Sequence, residues 1–331
     1  MKLEKRIEVL VRLGDYIMAN GDALQGAMLR SKLENAWFTL DTIGQSLTAI
    51  AEQFLNEDKL RAWLSRYSMV ENPKKVALVM AGNIPLVGFH DFLCVFVSGH
   101  VAQIKVSSKD KHLMEHLLKV LVDLDGACAP YIELVERLKG FDAVIATGSG
   151  NSNRYFEHYF GKYPHILRSN RSSVAVLTGE ESAEDLANLG KDIFSYFGLG
   201  CRNVSKLFVP KDYDFVFFLD SLQGFSEIQH HNKYKNNFDY QFSLLLLNRT
   251  PHYVSKFVLL TEDERVVSPI SVVHYEVYEG ENWREKVQAQ SEVIQCCVGA
   301  AEGLVPFGEA QLPTLWDYAD GVDVLGFLLR F

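Results

Sequence analysis

The chain has 331 residues, 48% hydrophobic and 23% charged, with a formal net charge of −9. That length suits one large domain or two ordinary ones, with ample material for a core. The acidic balance argues against a phosphate backbone as the main partner, so no nucleic acid is expected, and no apolar run approaches the ~20 residues a bilayer span needs.

The opening MKLEKRIEVLVRLG mixes charges with apolar residues at helical spacing, which predicts an amphipathic helix and no signal peptide. Residues 1 to about 68 read as helical throughout, with Leu3, Ile7, Leu10 and Val11 on one stripe and Leu40, Ile43, Leu47, Ile50 and Ala51 on another. Asn72-Pro73 breaks that pattern, because proline lacks an amide donor and restricts its neighbour. Beyond it, KVALVMAG, VAQIKVS, DAVIATG, SVAVLTG and VSKLFVP are short runs rich in apolar and β-branched residues. Helix-like segments separate them at roughly 84–98, 110–139, 150–161 and 182–197. Strands buried on both faces read as near-continuous apolar runs, and their alternation with helices predicts a doubly wound parallel α/β sheet. Ligands in that architecture sit beyond the carboxyl ends of the strands. The loops that matter are then AGNIPL, KVSSKD, TGSGNSN and GLGCRN. Further on, FVFFLD, FSLLLLN, KFVLLT and SVVHYEVY read as strands, WREKVQAQSEVIQCCVGAAEG as a helix, and the final DVLGFLLRF as an edge strand or a segment docking on another subunit.

The five cysteines, Cys94, Cys128, Cys201, Cys296 and Cys297, are odd in number and contain no CxxC. They form neither a disulfide framework nor a zinc site, and a reducing cytoplasm is the expected location. Three N-x-S/T sequons, at Asn170, Asn203 and Asn248, then carry no information. His112-Leu113-Met114-Glu115-His116 matches an inverted zinc-peptidase pattern, but it falls in a charged helix with no third ligand, so no metal is expected. His230-His231 lies in a polar loop that explains itself.

Four positions carry chemistry, each beside a plainer reading. Cys201 lies in the turn Gly198-Leu199-Gly200-Cys201, where glycines can lift a thiol into a cleft. A cysteine nucleophile would suit that place, and so would a small buried residue capping a strand. Asn83, in GNIPL, could donate to an oxyanion or cap a helix. Lys105 ends an inner strand, where it could meet a nucleotide ribose or phosphate or snorkel to solvent. Thr147-Gly148-Ser149-Gly150 could approach a phosphate or merely start a helix, and it is not a GxGxxG fingerprint.

The order of these segments resembles the aldehyde dehydrogenase superfamily, in which an Asn-x-Pro segment, a Lys-x-x-Glu segment, a Gly-Ser turn and a Gly-x-Cys nucleophile follow one another. Residues 70–215 carry the likeness well and the last third loosely. Within the superfamily the chain looks most like the LuxC-type, long-chain acyl-CoA reductases, with YKNNFDY after the cysteine and DYADGVDVL near the end in keeping with that branch. The resemblance implies a helical region at 1–70, an NAD(P)-binding domain at 71–178, a catalytic domain at 179–310 and a tail at 311–331 that packs on the cofactor domain or another subunit. It implies Cys201 as nucleophile and Asn83 in the oxyanion hole. Lys105, Ser107, Ser108, Thr147, Gly148 and Ser149 would then meet the cofactor. An acyl-CoA or other acyl thioester is the implied substrate, a homo-oligomer the implied assembly and an acyl-activating enzyme a further partner.

Two departures sharpen the expectation. Oxidising members carry a Glu, before Gly-Gly-Lys, that activates the hydrolytic water; here the stretch is HILRSNRSSVAVL, with Arg168 or a neighbour in its place. The Glu of Lys-x-x-Glu, which favours NAD, is Ser108, and its loss makes room for a 2′-phosphate, so NADPH is expected. The Glu-x-Phe-Gly-Pro motif has only RVVSP at 265–269 as a counterpart. Reduction of another activated acid, such as an acyl phosphate, and a non-catalytic scaffold of the same fold are the competing readings.

Overall fold

The computed structural model describes residues 1–68, 70, 72–148 and 150–330, and of residues 150–154 the backbone alone. Its contacts divide the chain into two units, 1–170 with 313–331, and 171–312. The division falls before 172–176 and not at 178/179, because that strand pairs with its neighbours in the second unit's sheet.

In the first unit, four helices lead: α1 (Leu3–Ala19), α2 (Asp22–Glu34), α3 (Leu40–Ala49) and α4 (Glu57–Leu64). Ile7, Leu10, Leu13 and Ile17 of α1 are buried along one face. A capping box at Thr39 and Thr42 starts α3, and the Asn56 side chain starts α4. The sheet follows: β1 (Lys75–Val79), α5 (Phe89–Ser98), β2 (Val101–Lys105), α6 (Lys111–Leu124), β3 (Ile132–Leu134), β4 (Ala143–Thr147), α7 (Gly150–Phe160) and β5 (His165–Arg168). All five strands are parallel, in the order β3-β2-β1-β4-β5. The strand order reverses direction between β1 and β4, which makes their carboxyl ends the topological switch point. Helix α5 is the centre of the core, with Phe92, Leu93, Cys94, Val95, Phe96 and Val97 wholly buried between the sheet and the leading helices.

In the second unit the elements are β6 (Ser172–Val176), α8 (Ala183–Phe194), β7 (Val204–Pro210), α9 (Phe215–Ser221), α10 (Asn232–Leu247), β8 (Tyr253–Val254), β9 (Leu259–Glu262), β10 (Val272–Tyr278), α11 (Trp283–Ala289) and β11 (Ile294–Val298). The order is β11-β6-β7-β10-β9-β8, parallel except for β8 against β9. The last segment returns to the first unit, where α12 (Val324–Leu328) buries Val324, Leu325 and Leu328. Among the described residues no helix is long and apolar enough to cross a membrane.

Several expected elements differ. FVFFLD is helical: Asp214 caps α9 through the Val216 and Phe217 amides, and Phe215, Phe218 and Leu219 face inward at helical spacing. FSLLLLN continues α10, whose buried Tyr234 and Phe238 are one turn apart. The run expected as one long helix from Trp283 stops at Ala289 and gives β11, which pairs with β6. The helix expected over 110–139 ends at Leu124; Pro130 lies in a short 3-10 turn before β3. The final segment is a helix and not an edge strand.

Candidate active site

The turn that presents Cys201 is held under strain. Tyr196, Phe197 and Gly198 take left-handed backbone angles in succession, at φ of +52°, +59° and +76°. Gly198 adopts that region without cost, whereas each bulky neighbour costs ~1–3 kcal/mol and persists only where surroundings over-determine it. Asn203 supplies the constraint. Its side chain is 1% exposed, and Nδ2 donates to the carbonyls of Asp192 (3.0 Å), Ile193 (3.3 Å) and Ser195 (2.8 Å). Its Oδ1 accepts the Gly200 amide at 2.8 Å. Phe197 packs against His231, ring centroids 4.1 Å apart and tilted by 31°, and His231 caps α10 by accepting the Tyr234 amide, so this histidine is structural. Ser173 Oγ donates to the Cys201 carbonyl at 3.1 Å and lies 3.0 Å from the Cys296 thiol. Cys201 itself is partly buried. Asn203 was legible in the sequence only as a sequon; its place two residues after the cysteine that follows Gly200 was the available signal.

Beneath the same turn, Asp192 is wholly buried at the end of α8. Its carboxylate accepts the amides of Gly308 (2.6 Å) and Ala310 (2.9 Å), and Arg202 donates to the Ala310 carbonyl. Burial pushes Asp192 up to about 6, against the pull of those amides. The 308–310 loop is thereby tied to both flanks of the cysteine turn.

The first unit gathers the other predicted residues at the carboxyl ends of its strands. Asn83 follows β1 and is exposed; α5 begins only at Phe89, with Gly88 at its N-cap, so Asn83 is not a helix cap. Lys105 closes β2 and is exposed. Ser108 is exposed, whereas Ser107 Oγ accepts the Lys109 amide at 3.3 Å and packs against Gly82. Thr147 ends β4, and Gly148 donates its amide to the Arg168 carbonyl at 3.3 Å, so that amide is already used. Ser149 lies outside the described residues. Asn83, Lys105, Ser107, Ser108, Thr147 and Gly148 thus belong to one unit and Cys201 to the other.

A family model described as acyl-CoA reductase (LuxC) matches residues 15–217, more than half of the chain. The chain belongs to the acyl-CoA reductase (LuxC) family. No curated protein sequence matches it. Solved structures of aldehyde dehydrogenase type share the fold. An NAD-dependent aldehyde dehydrogenase from Sinorhizobium meliloti is 11% identical, with a TM-score of 0.70 over 94% of this chain and 72% of that one. An NADP-dependent enzyme from E. coli is 14% identical, with a TM-score of 0.69 over 94% and 76%. Aldehyde dehydrogenase 21 from Physcomitrella patens, solved with its product succinate, is 12% identical, with a TM-score of 0.68 over 92% and 74%. This LuxC-family chain is accordingly an oxidoreductase with the aldehyde dehydrogenase fold.

Two of the stretches singled out in the sequence take up other roles. Arg168 ends β5, is 5% exposed and forms an ion pair with Asp91 on α5. Its Nε and Nη2, and Asp91 Oδ1, are buried without a partner among the described residues. Asp91 raises the guanidinium's pKa, although burial opposes it, so the arginine stays charged. In RVVSP, Arg265 pairs with Asp263 and holds that carboxyl down to about 2. The two histidines of the HxxEH match point to different partners, His112 to Glu34 and His116 to Tyr16.

Proposed function

We propose that the chain is an NADPH-dependent reductase of fatty acyl-CoA that works through an acyl-Cys201 thioester. The observation that carries this reading is the strained, Asn203-braced turn that presents a partly buried Cys201 immediately before β7, in a LuxC-family chain. The donor set of the first unit fits a phosphorylated nucleotide: the Lys105 ammonium and the Ser108 and Thr147 hydroxyls stand at carboxyl ends of strands, with no carboxylate at 108. The turn at Gly82 lies directly on Ser107, where an added Cβ would come within 2.5 Å of Oγ, so Ser107 shapes this loop and Ser108 faces outward. NADPH, when bound, supplies the hydride that takes the acyl group to aldehyde.

The chain's own residues do the rest. The Cys201 thiolate attacks the thioester carbonyl, and a C–S bond forms as the carbonyl π pair moves to oxygen. Asn83 donates its amide hydrogen to that oxyanion, a type of contact worth ~3–4 kcal/mol. The oxyanion collapses, the bond to coenzyme A sulfur breaks, and the thiolate of coenzyme A departs. After reduction the Cys201 thiolate is expelled again and the aldehyde leaves. Arg168 in place of a carboxylate leaves water without a base at that position, which favours a lasting acyl-enzyme.

Intact-mass measurement after mixing with acyl-CoA alone tests the nucleophile. One acyl group per chain is expected in the wild type and none in Cys201→Ala; acylation that survives the substitution places the nucleophile elsewhere. The cofactor is tested separately by Ser108→Glu, which should weaken NADPH through charge repulsion and improve use of NADH. A wild type that prefers NADH, with no shift in the variant, rejects the role given to Ser108.

A further inference from the structure

The loop after β1 and the loop after β2 are joined by side chains that have no part in the reaction. Asp110 stands at the N-cap of α6, where an aspartate ordinarily accepts an amide of its own helix. Here its side chain makes no cap bond. Oδ2 accepts the Leu86 amide at 2.5 Å instead, and Oδ1 is buried with no partner among the described residues. Leu86 is held at φ +57°, an angle that a bulky residue takes only under constraint. Asn35, the C-cap of α2, makes a second bridge: Nδ2 donates to the Lys109 carbonyl at 3.1 Å and to the Gly82 carbonyl at 3.4 Å, while Oδ1 accepts the Trp37 amide at 3.0 Å. Ser107 meets Gly82 so closely that no Cβ would fit between them. From α3, Ser46 holds the far side of the same turn by donating to the Pro85 carbonyl at 2.8 Å.

These bridges enclose Asn83 on both sides, at Gly82 and at Pro85-Leu86. They also fix the second loop at Ser107, Lys109 and Asp110. Buried polar groups are costly to leave without a partner, so neither loop can shift far without the other. An oxyanion donor must be placed to within about half an ångström to act. We propose that Asn35 and Asp110 are positioning residues that couple the Lys105–Asp110 loop to the Asn83 turn, so that a nucleotide on the first loop sets the second. The inference rests on the cofactor and oxyanion roles proposed above. It gives the leading helices, through Asn35 of α2, a part in the chemistry of a site they do not enter.

Hydrogen exchange of the full chain with and without NADP⁺ tests it. In the wild type, NADP⁺ should slow exchange at 105–110 and also at 82–88. In Asn35→Ala and in Asp110→Ala the slowing at 105–110 should remain, and that at 82–88 should shrink by about fivefold or more, the lower end of ordinary coupling energies. Asp110→Asn keeps an oxygen for the Leu86 amide and should keep the slowing at both segments. In turnover assays the alanine variants should lose kcat by about tenfold with the KM for NADPH little changed. If either alanine variant fails to fold, Asn35→Asp, which keeps the Trp37 contact and loses both donors, takes its place. Equal slowing at 82–88 in wild type and variants overturns the coupling. Slowing confined to 105–110 in the wild type overturns it too, and leaves the cofactor role intact. No slowing at either segment removes the cofactor reading and the coupling together.

Discussion

Asn203 uses both ends of its side-chain amide to hold the backbone that precedes Cys201. Asn203→Ala would strand three carbonyls and the Gly200 amide, with left-handed Tyr196 and Phe197 still to be held in place. The expected loss is about 3 kcal/mol of stability, at the upper end for a single polar deletion because the groups are buried. Acylation of Cys201 by acyl-CoA should slow at the same time by about tenfold or more, because a displaced nucleophile loses its alignment. Asn203→Asp should fare no better, since it sets a carboxylate against three carbonyl oxygens. Urea denaturation and timed intact-mass spectra measure both effects. A variant with wild-type stability and wild-type acylation would show that Asn203 does not hold the turn. The sequence displays the glycines of this turn and hides its strain: of the two glycines flanking Leu199, Gly198 takes the left-handed angle, and the other two residues that do so are aromatic.

At the scale of elements, β1, β2, β4, β6 and β7 were legible because each is a short apolar run ended by a turn, and the same reading pointed to the loops at their carboxyl ends because ligands meet strand ends. Aromatic and leucine runs were misread for a physical reason: with every position apolar, a period of two and a period of 3.6 fit equally well. FVFFLD is decided by the Asp214 cap and FSLLLLN by continuity with the polar helix before it, neither of which lies in the run itself. The tail shows the same ambiguity. Its docking is made by Tyr318, whose hydroxyl meets Trp63 Nε1 at 2.8 Å and Tyr67 at 3.0 Å, and by Tyr67, which donates to Asp323 at 3.0 Å. His100 accepts the Lys74 amide through Nδ1, so its Nε2 carries the proton donated to the Leu328 carbonyl at 2.8 Å. Leu325→Ala should therefore cost the first unit about 2–5 kcal/mol, the range for deleting a fully buried leucine. A segment docked on another subunit would behave differently, with the subunit equilibrium shifting and the monomer's stability unchanged. Urea denaturation at two protein concentrations separates the cases, and a concentration-dependent loss would reject the intramolecular docking described here.

Across the whole molecule, buried acids and buried histidines oppose one another, so pH should act on stability through a difference of large effects. Burial lifts Asp110 to about 7 and Asp192 to about 6. An unfolded aspartate titrates near 3.9, so from about pH 4 up to those values the folded chain holds a proton that the unfolded chain has lost. Each group then makes stability fall as pH rises, by about 1.4 kcal/mol per pH unit, until its folded pKa is passed. His90 works in the other direction. Packed against the rings of Phe54, Trp63 and Tyr318, it is pushed down to about 4, chiefly by burial. Between about pH 4 and 6.5 the unfolded chain binds the proton that this imidazole refuses, so stability from His90 is lost as pH falls. In the first unit the slopes of His90 and Asp110 nearly cancel below pH 6.5, and Asp110 alone of this pair remains between about 6.5 and 7. Burial raises Asp110 and the Leu86 amide opposes. The wild-type profile alone would conceal this. The difference between wild type and Asp110→Asn, measured by urea denaturation from pH 4.5 to 8, removes the other groups and any constant cost of the new amide. It should fall by about 1.4 kcal/mol per pH unit up to about pH 7 and be level above it. A difference that stays flat across that range would mean that Asp110 is ionised in the folded chain throughout, and that its grip on Leu86 is that of a carboxylate and not of a carboxylic acid.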